Sequence, residues 1–211
     1  MANINVRTNF PEVARELKKL ENEVADKALR STVNKSAAQG RTAMTRAITS
    51  EYNLKSAEVR SKLRVIRASR KGRDIKARLD GTGRLTFNII RFVEGRVSLA
   101  QARRRARSGT LSQVHVKIRK TGGVKPLKGA FIANRGRTVF KRVPGTTMRS
   151  RQRYAGTKHA EQIAALSTIG IPRMFNSKKI NIPVVKKIND NFVRIFEGDV
   201  KFFTEKFNRG R

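Results

Sequence analysis

From Asn9 the chain reads NFPEVARELKKLENEVADKALRSTVNKSAAQGRTAMTRAITSEYN, with apolar residues every three or four places: Val13, Leu17, Leu20, Val24, Ala28, then Ala37, Met44 and Ile48. That period gathers them into one stripe and predicts a long helix. Asn9 and Glu12 have the N-cap and N3 identities of a capping box, and Pro11 suits a first turn because its missing N–H has no helical partner there. Gly40 is the expected point of interruption. Unbroken from residue 10 to 50, such a helix is roughly 60 Å long at about 1.5 Å per residue. That exceeds the need of one small domain. It either crosses its own sheet or packs in part on another subunit, where the small side chains of Ala37, Ala38, Ala43 and Ala47 permit close approach.

A short helix is predicted over 53–63, capped by Ser56, with Val59 and Leu63 as its apolar positions. The pattern then changes to strands: LRVIRAS (63–69), DIKARLD (74–80), RLTFNIIRFV (84–93), SQVHVKIRK (112–120) and RTVFKRV (137–143). Ile75, Ala77 and Leu79, and again Val114, Val116 and Ile118, alternate with polar residues, the period of a half-buried strand. The connectors SRKGR, GTG, KTGG and NRGR are turn material, with GTGRL (81–85) read as a hairpin turn. An antiparallel sheet with one dry face follows.

Beyond Pro172 and Pro183 the apolar residues return to helical spacing: Val184, Ile188, Phe192, Ile195, Phe196, Val200, Phe203 and Phe207. Aromatic residues at that spacing fill a core. The expected class is therefore α+β, with a long N-terminal helix and a C-terminal amphipathic helix packed on an antiparallel sheet that carries basic loops. One domain over 1–211 is expected, comprising a helical region (1–62), a basic β region (63–143) with an Arg-rich loop at 94–111, an extended loop region (144–179) and the last helix (180–208).

Charge changes this picture more than composition does. Lys and Arg number 49 against 15 Asp and Glu, a formal net charge of +34. Self-repulsion of that size opposes compaction unless a polyanion, an acidic partner or salt offsets it. Residues 1–26 are nearly balanced, with Glu12, Glu16, Glu21, Glu23 and Asp26 against four bases. Between Glu94 and Glu161 no acid occurs at all, while eighteen Lys or Arg lie between Arg96 and Lys158. The surplus belongs to the middle of the chain.

The residue inventory narrows the chemistry. Absence of Cys removes disulfides, thiolate metal sites and thiol nucleophiles. The first residues lack the apolar run of a signal peptide, and no eighteen apolar residues occur in a row, so no membrane partner is expected and folding is expected in a reducing cytoplasm. His115 sits in a strand pattern opposite the face of Val114 and Val116, and His159 lies in a basic loop. Neither has a carboxylate cluster that would make a metal or catalytic site. Asp74, Asp80 and Glu94 are separated by turns, and GTGRL lacks the Lys-Ser/Thr of a phosphate-binding loop. No enzyme, cofactor, metal or catalytic residue is expected.

What remains is a basic surface. Arg96, Arg103, Arg104, Arg105, Arg107, Lys117, Arg119 and Lys120 can neutralise phosphates without reading bases. No zinc-finger, RNP aromatic-pair, KH or helix-turn-helix signature accompanies them, and two Tyr with no Trp leave few stacking surfaces. Any contact with nucleic acid is thus expected to be electrostatic and blind to sequence.

The order of a long N-terminal helix, a basic β region, GAFIANRGRTVFKRV (129–143), TIGIPRMF (168–175) and a C-terminal amphipathic helix resembles the minor tail protein Z family of long-tailed phages. Gly129, Ala130, Phe131 and Ile132, the Gly136 turn, Arg142 and Val143, and Ile171-Pro172 carry the likeness most specifically. TTMRSRQRYAGTKHAEQIAAL (146–166) departs from it as a longer insertion. The resemblance implies a virion protein of the tail's head-proximal neck. It would act as a homo-oligomeric ring, six-fold in related neck proteins, that completes the tail and permits head–tail joining. Implied partners are tail terminator and tail tube proteins, head connector proteins and, nonspecifically, genomic DNA. Val13, Leu17, Leu20, Val24, Met44 and Ile48 are the expected oligomer interface. Charge alone supports a rival, a monomeric ribosome- or nucleoid-associated protein that binds nucleic acid without sequence preference.

Overall fold

The computed structural model describes residues 2–5, 22–68, 75–94, 104, 108, 113–146 and 162–209. It is α+β, with long helices near both ends and antiparallel sheets between them. The chain forms two compact units.

The first unit is built on α1 (Asn22–Glu51) and α4 (Lys178–Arg209). Thr32 of α1 meets Asp199 of α4, while Gly40 lies against Ile188, so the two helices run antiparallel. Met44, Ile48, Phe192 and Phe196 are wholly buried, as expected of the two apolar stripes. Ile195, Val200, Phe203 and Phe207 of the second stripe are only half-buried. Pro183 falls in the second turn of α4, where its missing N–H forfeits one i→i−4 hydrogen bond.

Contrary to expectation, α1 is not interrupted at Gly40. A Cβ at that position would stand 2.8 Å from Ile188 Cδ1 and 3.7 Å from Leu79 Cδ2. Glycine costs a helix interior about 0.5–1 kcal/mol. Here it leaves room for α4 to close on α1, and the hydrogen-bonded ladder runs through.

The remainder of this unit comprises α2 (Ser56–Ser61), β1 (Ala2–Asn5), β2 (Leu63–Ile66), β3 (Arg78–Gly81) and α3 (Ile171–Phe175). The strands form an antiparallel sheet in the order β1-β3-β2. Ser56 is the first helical residue of α2 rather than its cap; Lys55 holds that place without a capping side chain. Leu63 opens β2 instead of closing the helix. Two polar ties bind the layer to α1: Arg41 donates to the Arg60 carbonyl at 2.8 Å, and Ala68 N–H donates to Asn34 Oδ1 at 2.8 Å.

In the second unit, β4 (Thr86–Asn88) is followed by a 3-10 turn (Ile89–Phe92) and β5 (Val93–Glu94). The single strand expected over 84–93 is therefore two, separated where Asn88 Oδ1 accepts from Ile90 N–H at 3.0 Å and caps the turn. Further along lie β6 (Gln113–Val116), β7 (Lys125–Lys128), β8 (Ala130–Ala133), β9 (Thr138–Arg142), β10 (Ile163–Ala165) and β11 (Ser167–Ile169). They pair as β5-β6-β7, β10-β9-β8 and β11-β4. β3 and β4 belong to different sheets, so residues 81–85 connect sheets and are no hairpin turn. Within 144–179, expected as extended loop, the described part holds β10, β11 and α3.

Leu166 joins two of these sheets. Its N–H donates to the Val139 carbonyl at 2.9 Å, and its carbonyl accepts from Ile89 N–H at 3.1 Å. The chain thus leaves β10, paired with β9, and enters β11, paired with β4, without an unsatisfied peptide. Ile89, Val114, Val116, Ala130, Ile132 and Val139 form the core that these sheets enclose.

Candidate nucleic-acid interface

Register decides which side chains of the second unit reach solvent. Val114 and Val116 of β6 are buried, and the intervening His115 is exposed, opposite Glu94 on one side and Pro126 on the other. Gln113 stands opposite Lys128 on that outward face. Lys125 and Lys128 are exposed at the two ends of β7, an outer strand of its sheet. Lysine and Pro126 there discourage pairing with a further strand while adding charge.

Of the bases expected to meet phosphate, Arg96, Arg103, Arg105 and Arg107 lie outside the described residues. Arg104 is exposed, its carbonyl accepting from Ser108 N–H at 3.2 Å. Lys117 is half-buried, and its N–H is bound to the Phe92 carbonyl at 2.8 Å. Arg119 and Lys120 are exposed just beyond β6, where Lys120 N–H donates to the Glu51 carbonyl at 2.9 Å and Asn53 N–H donates to the Ile118 carbonyl at 2.9 Å. Arg119 Nε lies 3.7 Å from Glu51 Oε1, so one of the expected bases is partly neutralised within the unit.

The structure adds bases that the sequence pattern did not single out. The β8–β9 hairpin closes on Asn134, Arg135, Gly136 and Arg137, with Arg137 N–H donating to the Asn134 carbonyl at 3.1 Å. Arg135 and Gly136 have φ of 54° and 81°, the positive values that match a hairpin turn to the strands' twist. The turn holds Arg135 and Arg137 exposed at one end of the sheet, and Lys141 and Arg142 are exposed at the other. Among the described residues of this unit the acids are Glu51 and Glu94.

The same register puts Phe131, Phe140, Arg142, Ile163 and Ala165 on the face of β10-β9-β8 opposite the buried Ala130, Ile132 and Val139. The two phenylalanine rings stack, with centroids 6.1 Å apart and planes 28° from parallel. Both are half-buried. This pair was legible in principle, since AFIA and TVFKR each put Phe out of phase with the core positions. Counting only Tyr and Trp as stacking residues hid it.

Of the apolar residues expected at an oligomer interface, Val13, Leu17 and Leu20 lie outside the described residues. Val24, Met44 and Ile48 are buried by the chain itself, the last two completely. They are core, because the α1 stripe that faces inward is used up within the monomer.

Among the described residues, no group of three or more His, Asp or Glu is placed to hold a metal ion, and no helix is long and apolar enough to cross a membrane. Asp80 is buried and bound by Arg78, whose Nε lies 3.0 and 3.2 Å from its two oxygens. Asp199 is buried against Thr32 and Lys35. Both carboxylates are engaged in structural contacts.

These features define an α+β protein whose distinctive surface is a basic, nearly acid-free β unit. The family described as prophage minor tail protein Z matches residues 11–201, and the chain belongs to that family. It is thus a phage minor tail protein, a structural protein of the virion. No curated protein and no solved structure matches the chain.

Proposed function

We propose that this minor tail protein completes the tail at its head-proximal end. It acts there as a neck ring, six-fold by the family resemblance, whose basic β unit faces the DNA terminus or the channel through which the genome passes. The observation that carries this reading is the placement of charge: among the described residues of the second unit, eleven Lys or Arg stand against the two acids Glu51 and Glu94. A wall of this charge would destabilise a free ring by self-repulsion, and DNA phosphates passing along it would offset that cost. The role is structural and the ring needs no cofactor. Its protein neighbours would be tail terminator or tail tube proteins on one side and head connector proteins on the other, with the chain acting as a single functional domain.

Electron microscopy of purified tails and intact virions tests this directly. A ring between tail tube and connector, with Arg119, Lys120, Lys125 and Lys128 toward the lumen, is the expected result. Absence of the protein from that position, with salt-sensitive nucleic-acid binding by a monomer, would transfer the assignment to a free nucleic-acid-binding protein.

A further inference from the structure

We infer that the outer face of β10-β9-β8 is a stacking platform for unpaired nucleotides, so that the protein binds single-stranded DNA through bases as well as phosphates. This rests on the proposed contact with DNA and specifies its chemistry. The parts are Phe131 and Phe140 on adjacent antiparallel strands, their rings stacked on each other at 6.1 Å and half-open to solvent. On the same face, Arg142 is exposed two residues beyond Phe140, and Ile163, opposite it, is 40% exposed. At the far end of the hairpin stand Arg135 and Arg137, the latter about 10 Å along β9 from Phe140 at ~3.4 Å per residue.

Half-buried aromatics on neighbouring strands, with cations at both ends, match the two parts of a single strand: bases present flat apolar faces, and phosphates present charge. Duplex DNA keeps its bases stacked inside and can use only the cations. Phe131 also packs against the core cluster of this unit, which holds its ring in place on the sheet. An acidic protein neighbour would be served by the arginines alone. The same geometry, aromatics on the open face of a small antiparallel sheet, serves single-strand recognition in otherwise unrelated RNA-binding folds.

The test compares three probes of equal length on the full chain at matched salt: fluorescent dT12, an abasic 12-mer with the same backbone, and a 12-base-pair duplex. The platform predicts that dT12 binds about 10-fold or more tighter than the abasic strand. The double variant Phe131→Leu, Phe140→Leu keeps apolar volume but removes the rings. It should bring dT12 down to the abasic level while leaving the dependence on salt unchanged. Ultraviolet cross-linking of dT12 to the wild-type protein, mapped by mass spectrometry to peptides holding Phe131 or Phe140, decides the matter should the variant not fold. Equal binding of dT12 and abasic strand would overturn the platform while leaving the electrostatic contact standing. No binding of any probe would overturn both.

Discussion

Gly40 and Gly136 show two different costs of a single added methyl group. At Gly40 helix propensity favours alanine, yet the added carbon would press on Ile188 at 2.8 Å. Packing decides the sign. Gly40→Ala is expected to lower stability by about 1–3 kcal/mol, the usual cost of overpacking a core, measurable by urea denaturation at fixed salt. Gly136, at φ 81°, has open space where a Cβ would stand, with no atom within 4 Å, so its requirement is conformational alone. Gly136→Ala should cost about 1–2 kcal/mol. Arg135→Asn at φ 54° should be neutral or stabilising, because asparagine tolerates that region better than arginine. Exchange of the β8 and β9 amides followed by NMR would localise both effects to the hairpin.

Between elements, the α1–α4 pair depends on one buried carboxylate. Asp199, 2% exposed, accepts from Thr32 Oγ1 at 2.9 Å and is bound by Lys35. Thr32 is completely buried, whereas the Lys35 side chain is 59% exposed and can return to water. Removing the carboxylate therefore strands the hydroxyl far more than the ammonium. Asp199→Ala should destabilise by about 2–4 kcal/mol, below the ~3–5 of a fully buried pair. Asp199→Asn, which keeps an acceptor for Thr32, should lose less. Thermal unfolding of the two variants against wild type at one ionic strength checks the order.

For the whole molecule, charge is the governing quantity. At a net +34, added salt or a polyanion should raise the unfolding temperature, because both relieve repulsion within the folded chain. Replacing Arg119, Lys120, Lys125 and Lys128 with glutamine should weaken duplex binding. It should also flatten the plot of log affinity against log salt by up to about 0.9 for each phosphate left without its cation. An unchanged slope would place the nucleic-acid interface elsewhere on the molecule. Because the β7 lysines are exposed, the substitutions should leave folding intact, which circular dichroism would confirm.

The sequence alone determined the helical stripes of α1 and α4, the alternation in β6, the α+β class and the site of surplus charge. These depend on neighbours three, four or two residues away, and such spacing is written in the chain. Pairing between distant strands was not. β3 joins β1 and β2 while β4 joins β11, so GTGRL links sheets although its local chemistry suits a hairpin. Gly40 breaks helices by propensity, and only the approach of Ile188 explains why it sits within one. Val24, Met44 and Ile48 could as well have faced another subunit by their spacing, and only the closure of the fold buried them. The stacked pair Phe131–Phe140 joins both orders: alternation points each ring outward, but the register of β8 on β9 brings them together. A residue's face is fixed by local geometry; its neighbour across a sheet or helix pair is chosen by the free energy of the entire packed chain.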